Sequence, residues 1–224
     1  MNTISLTPLS SWQLFRALVS IGVICSLLIV GVFQLTASTI EKNQTDFFNQ
    51  AIAAIFPNAD KKIGYKQLDN GQLKELEQQA ISEQQLFAIF NNKHQLLGYI
   101  VKAQGMGYQD TIQLLYGYSP QNETVNGIKI LSSRETPGLG DRIGKDENFL
   151  ANFKQLTVKL TSDKSHILHK IENAKPGTKN RPWQIDSISG ATISSRAVIN
   201  IINISANEWI PLLAKHAETH NVGN

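Results

Sequence analysis

Asp186-Ser187-Ile188-Ser189-Gly190-Ala191-Thr192-Ile193-Ser194-Ser195-Arg196 joins an extended segment to a long apolar run near the C-terminal end of a 224-residue chain. It reads as a tight turn that opens a helix. Ser189 and Thr192 are both N-cap residue types, Gly190 lets the backbone turn sharply, and Ala191 adds no bulk beside it. A helix start leaves backbone N–H groups free at the positive end of its dipole, which is a seat for an anionic group such as phosphate. On pattern alone, an ordinary capped helix start remains the simpler reading.

Working outward, Trp183 to Ile188 reads as a last strand feeding this turn. Beyond it Ile193, Ala197, Ile201 and Ile204, with Val198 and Ile202 beside them, form an apolar stripe on a helix that should pack on a sheet. Pro211 is expected to kink or restart that helix near Asn207. Upstream, Gln85 to Phe90 and Leu96 to Ala103 are apolar runs separated by the turn residues Asn91 to His94, a hairpin pattern. Thr111 to Tyr118 and Val125 to Ser132 supply two further strands, and a short one is expected near Ile63 to Leu68 in the polar stretch 58–82. A helix-like segment covers Asp146 to Leu156. These elements define an α+β domain with a mostly antiparallel sheet and packed helices.

The N-terminal end differs in kind. Ala17 to Ile40 carries no charged residue, and roughly 24 residues of helix suffice to span a bilayer. A single transmembrane helix is therefore expected. A cleaved signal peptide is the competing reading, but Thr36-Ala37-Ser38 is not an Ala-x-Ala site and the apolar core is long. Phe47, Phe48, Ala51, Ile52 and Ile55 continue at helical spacing until Pro57. The expected organisation is a short tail over 1–16, a membrane helix over 17–40, a helical stem over 41–57 and a domain over 58–224. Arg16 precedes the apolar run while Glu41, Lys42 and Asp46 follow it, so the tail is expected inside and the domain outside. In a Gram-negative cell that places a single-pass protein in the inner membrane with a periplasmic C-terminal domain.

Composition narrows the chemistry. The net charge of +3 comes from 21 basic and 18 acidic residues without an arginine-rich block, so there is no nucleic-acid footprint. The single cysteine, Cys25, falls in the apolar stretch and can build neither an intrachain disulfide nor a metal cluster. His166 and His169 have helical metal-ligand spacing but no third ligand nearby, and Lys164 and Lys170 disfavour a cation, so a solvated helical face is expected. No metal site is expected. The Lys175 to Pro182 run reads as an exposed basic loop. Ser194-Ser195 lacks the Gly-x-Ser-x-Gly turn of a serine hydrolase, and no Ser-His-Asp or Cys-His arrangement is apparent, so no catalytic residue is assigned.

A second motif stands well before the first. In Glu135-Thr136-Pro137-Gly138-Leu139-Gly140-Asp141-Arg142-Ile143, Pro137 fixes one dihedral and two glycines flank Leu139. Such a loop can bring bare backbone close to a flat ring, with Leu139 lying against it; a plain strand-to-helix connection is the bland alternative. Glu135 and Asp141 border a glycine-rich turn, where acidic residues are usually solvated or capping, and neither is given a proton-transfer role.

Asp186 to Thr192 resembles the flavinylation motif of the FMN-binding-domain family found in the G subunit of the Rnf electron-transport complex and in the C subunit of the sodium-translocating NADH:quinone reductase. The Glu135 to Gly140 loop and the Gly105-Met106-Gly107-Tyr108 turn resemble the same family, more closely on the Rnf side. The resemblance implies that Thr192 carries FMN through a phosphodiester bond made by a separate magnesium-dependent flavin transferase from FAD, with AMP leaving. It implies that Ser189, Gly190 and Ala191 give that enzyme access, and that Thr136, Gly138, Leu139 and Gly140 line the flavin pocket. It further implies an electron-carrying member of an ion-translocating complex, held by other membrane subunits. A non-redox, membrane-tethered binding or assembly module is the alternative left by the residues themselves.

Overall fold

The computed structural model describes residues 10–68, 73–76 and 85–221. Most of the N-terminal tail and parts of the 58–82 stretch read above lie outside them. The chain divides into two units, Met1–Phe48 and Asn49–Asn224.

The first unit lies on helix α1, Ser11–Ile55, an uninterrupted run of 45 residues. It already includes Ser11 to Arg16, so the helix begins before the apolar run does. Its central stretch has a mean hydropathy of 2.5 and none of it is buried, which makes the helix long and apolar enough to cross a membrane. Three of its hydroxyls are satisfied locally: Ser20, Ser26 and Thr36 donate to the carbonyls of Ala17, Gly22 and Val32 at 2.8–2.9 Å. An apolar solvent demands this, because it offers polar groups no partner.

The second unit contains the last turns of α1, which stops at Ile55 two residues before Pro57, as restriction of the pre-proline residue requires. Seven strands follow: β1 (Lys61–Gln67), β2 (Leu73–Leu76), β3 (Leu86–Phe90), β4 (Leu96–Met106), β5 (Thr111–Ser119), β6 (Thr124–Ser132) and β7 (Leu156–Thr157). They form one antiparallel sheet in the order β2-β1-β3-β4-β5-β6-β7. The expected hairpin turn is present, with His94 exposed at its tip in left-handed backbone, φ 61°.

Both faces of the sheet are covered, which is why β3 is buried from Leu86 to Ile89 instead of alternating. On one face Leu86, Ala88, Tyr99, Val101, Leu114, Tyr116 and Tyr118 join a core with helix α3, Thr192–Asn221. On the other, the end of α1 presses so closely that a Cβ on Gly117 would lie 2.2 Å from Ile55 Cγ2, and one on Gly98 2.7 Å from Phe56 Cζ. Glycine is obligatory at both crossings.

Several expectations are corrected here. Helix α3 runs through Pro211 without a restart; its burial against the sheet holds the segment together where Asn207 loses the proline's N–H. Ile193 and Ile204, assigned to the packed stripe, are 58% and 73% exposed. Ala197, Val198, Ile201 and Ile202 of that stripe are buried as expected, and the buried face also takes in Ile199, Ala206, Trp209, Ile210 and Leu213 with Ser194, Ser195, Asn203 and Ser205 between them. Helix α2 is only Glu147–Ala151, because the chain turns at Asn152 and Leu156 enters β7. His166 and His169 are exposed, as expected, though not on a helix, and His169 stacks on Trp183 with ring centroids 4.0 Å apart. The last strand, β9 (Gln184–Asp186), pairs in parallel with an unforeseen β8 (Glu172–Ala174) in a separate two-stranded sheet.

Candidate functional site

Three segments far apart in sequence meet at the first turn of α3. Gly105 allows the approach, since a Cβ there would sit 2.7 Å from Ile201 Cγ1. The turn after β4 then brings the N–H groups of Tyr108 and Gln109 to Glu135 Oε1, at 2.8 and 3.1 Å. The other carboxylate oxygen, Oε2, accepts from the Ser194 hydroxyl. Glu135 is only 4% exposed, which corrects the expectation of a solvated or capping acid. Gly107 and Gly140 flank it: a Cβ on the first would lie 2.4 Å from Glu135 Oε1, and one on the second 2.7 Å from Ser194 Oγ and 2.8 Å from Glu135 Oε2. Periodicity gives no signal for such a contact, because the partners are backbone amides from another loop.

The Asp186 to Arg196 stretch is a turn opening a helix, as its residues indicate. Ala191 N–H donates to Ile188 O at 3.0 Å, and Gly190 has φ 81°, a left-handed conformation that suits glycine. The helix begins at Thr192 itself, so Thr192 is its first residue and not its cap. Ser189 does not cap it either. Ser195 reaches back instead, donating its hydroxyl to Ala191 O at 2.9 Å and accepting Ile188 N–H at 3.1 Å. Its own N–H is the first to find a carbonyl four residues back, at 2.9 Å. Among the described residues, the N–H groups of Thr192, Ile193 and Ser194 therefore have no protein acceptor, as expected at the start of a long helix.

Thr192 is exposed, and its hydroxyl has no hydrogen-bond partner among the described residues. Beside it, Ser189 and Gly190 are exposed while Ala191 is buried. The loop 136–140 sits against this turn. Thr136 is half-buried and its carbonyl accepts from Leu139 N–H at 3.2 Å and Asp141 N–H at 3.3 Å. Gly138, φ 77°, faces open space and donates its N–H to Asp141 Oδ1 at 2.7 Å. Leu139 is 50% exposed, and its Cδ2 would be 3.8 Å from a Cβ on Gly190. The two glycine turns thus touch through Leu139, while Gly140 lies buried beneath.

A cation completes the arrangement. Arg142 Nη1 donates to Ser189 O at 3.1 Å and Nη2 to Asp146 Oδ2 at 2.6 Å. Asp146 caps α2 by accepting Phe149 N–H, and that bond, followed by the Arg142 contact, holds its carboxyl below the ordinary aspartate range. Asp141 is lowered chiefly by its bond to Lys145. The i,i+4 pair with Asp146 is a local signal, but the bond to Ser189 O spans 47 residues and leaves none. Among the described residues there is no group of three or more metal-ligating side chains.

These residues fit a flavin phosphate and ring. Free helix N–H groups and the Arg142 guanidinium suit a monoanionic phosphodiester, and the half-exposed Leu139, with exposed Ile193 one residue beyond Thr192, offers an apolar surface for a flat heterocycle.

The antiparallel sheet covered by one long helix is the setting of this site, and the FMN-binding domain family matches residues 107–207. Over 190 residues the chain is 30% identical to the G subunit of the ion-translocating oxidoreductase complex of Pasteurella multocida, covering 83% of this chain and 87% of that one. The chain belongs to this G-subunit family. It is 38% identical to the corresponding protein of Methanosarcina acetivorans over 115 residues, about half the length of each, 51% and 52%. It is 28% identical to the G subunit of the proton-translocating ferredoxin:NAD(+) oxidoreductase complex of Clostridium ljungdahlii, covering 78% of both. Among solved structures, the C subunit of the Na(+)-translocating NADH-quinone reductase from Parabacteroides distasonis shares the fold, with a TM-score of 0.52 at 23% identity over 69% of this chain and 78% of that one. The corresponding Shewanella oneidensis protein does so with a TM-score of 0.50 at 18% identity over 73% of each.

Proposed function

We propose that this chain is a membrane-anchored flavoprotein subunit of an Rnf-type ion-translocating complex, carrying electrons through FMN attached to Thr192 by a phosphodiester bond. The observation that carries the reading is the exposed, unpartnered Thr192 hydroxyl at the first position of a 30-residue helix, with Leu139 packed beside its turn. FMN supplies the one- and two-electron chemistry when bound. The chain's own residues hold and orient it. The free N–H groups of the first turn and Arg142 stabilise the phosphodiester charge, while Leu139 and Ile193 exclude water from one side of the ring.

Among the described residues none is hydrogen-bonded to the Thr192 hydroxyl to take its proton, so a separate flavin transferase makes the bond. The Thr192 oxygen bonds to the phosphorus of the FMN half of FAD as the pyrophosphate bond breaks; AMP leaves with the bridging oxygen, and the threonine proton passes to a base of the transferase. Small, exposed Ser189 and Gly190 leave room for that second active site. The apolar α1 anchors the protein, and the charge asymmetry about it supports a domain on the periplasmic side. A single helix offers no ion path, so other membrane subunits must supply one. The test is mass spectrometry of the chain matured with and without the transferase. One FMN is expected on the peptide containing Thr192, and Thr192→Ala should remove it with no change in melting temperature; colour that remains covalently bound in that variant would sink the assignment.

A further inference from the structure

We propose that the buried Glu135–Ser194 pair is a positioning device for flavin attachment, setting the rotation of the first turn of α3 and thereby the aim of the Thr192 hydroxyl. This rests on the reading of Thr192 as the attachment point. Successive residues on a helix are rotated by about 100°, so Thr192 and Ser194 project from nearly opposite sides of the same turn. Ser194 is buried and bonded to Glu135, whereas Thr192 is exposed. Holding the inner side chain fixes the direction of the outer one.

Glu135 is an unusual choice for mere packing. Both carboxylate oxygens are engaged, by two backbone N–H groups and one hydroxyl, yet no cation pairs with it among the described residues. Burying a carboxylate without a counter-charge costs more than burying an apolar side chain of similar size. What the acid gains is a bond simultaneously to the turn after β4 and to the helix that carries Thr192, made from the start of the loop that carries Leu139. Gly107 and Gly140 bring their backbones against it at distances no Cβ would permit, so the three segments close on one carboxylate. Ser194 accordingly controls two things at once: access to the Thr192 oxygen and the seating of Leu139 against Gly190. Neither residue touches the reacting atoms.

The test uses the full chain in detergent with FAD, Mg²⁺ and a purified flavin transferase, following single-turnover FMN attachment by intact mass. Ser194→Ala and Glu135→Gln are expected to slow attachment about tenfold, equivalent to about 1.4 kcal/mol, while each remains folded at the assay temperature. The slowing should persist at 4 °C, well below any melting transition. Because the two residues share one bond, the double variant should be no slower than the worse single one. The flavin that does attach should show lower fluorescence anisotropy than in the wild type, a readout that stability alone does not move. Rates within twofold of wild type, a defect that vanishes on cooling, or additive effects in the double variant would each overturn the proposal. If the wild-type chain itself gains no FMN on Thr192, the attachment reading fails and the positioning role falls with it; normal attachment in the variants overturns the positioning role alone.

Discussion

Helices α1 and α3 satisfy the same criterion of length and apolar composition for crossing a membrane, with mean hydropathies of 2.5 and 1.2 in their most apolar stretches, yet none of the first stretch is buried and 67% of the second is. The difference lies in where each puts its polar groups. In α1 the hydroxyls of Ser20, Ser26 and Thr36 turn back onto their own helix. In α3 the buried polar side chains reach outward to other elements: Ser205 to the Tyr116 hydroxyl at 3.0 Å, Ser194 to Glu135, and His216 to the Tyr99 hydroxyl at 2.8 Å. Asn203 goes further, accepting Ile171 N–H and donating to Ile171 O, both at 2.9 Å, as a strand would. The first pattern is the one a solvent that bonds nothing would require, the second the one a protein interior requires, since it must satisfy every group it buries.

The largest break in this comparison comes from the same charge placed in each helix. Ile202→Asp buries an unpaired carboxylate in the domain core, and a loss on the order of 3–5 kcal/mol should leave the domain largely unfolded by circular dichroism. Leu27→Asp should leave the domain's melting unchanged and instead weaken membrane retention by about 2.5–3.5 kcal/mol on an insertion scale, read by extraction from vesicles. A smaller effect sharpens the polar side of the contrast: Asn203→Ala strands the Ile171 amide and should cost about 1–3 kcal/mol in denaturant unfolding. Smallest of all, Ile204→Ser removes an apolar side chain that touches little and should shift stability by less than about 0.5 kcal/mol. A large loss there would mean that an unseen surface covers it.

Hydrophobic period showed where the strands and both long helices lie because each reports a local geometry: a period near two for pleated strands and near 3.6 for helices. It failed where burial on two faces, or contacts with remote backbone, set the requirement. Ile193 and Ile204 obeyed the helical pattern and still face outward, since the axis of α3 is set by where Gly105 admits Ile201. Asp146 to Leu156 carried enough apolar residues for a longer helix, but Leu156 pairs with Val125 on β6 instead. The site was legible in its two motifs because glycine, proline and small residues mark turns whatever surrounds them. Glu135 was not, because nothing beside it in the chain says that two amides and a hydroxyl will close around it.

The amino-acid sequence by itself determined the charge-free run within the N-terminal helix, the antiparallel core strands, the turn with Gly190 in left-handed backbone and the threonine that follows it, all consequences of local composition and allowed dihedrals. Only tertiary structure decided that Leu139 rests against Gly190, that Ser195 reaches back to Ala191 and Ile188 while neither Ser189 nor Thr192 caps α3, that Arg142 bonds the turn before the helix, and that Glu135 bonds its first turn. Those choices depend on distances between segments dozens of residues apart, which chain packing sets and no local pattern encodes.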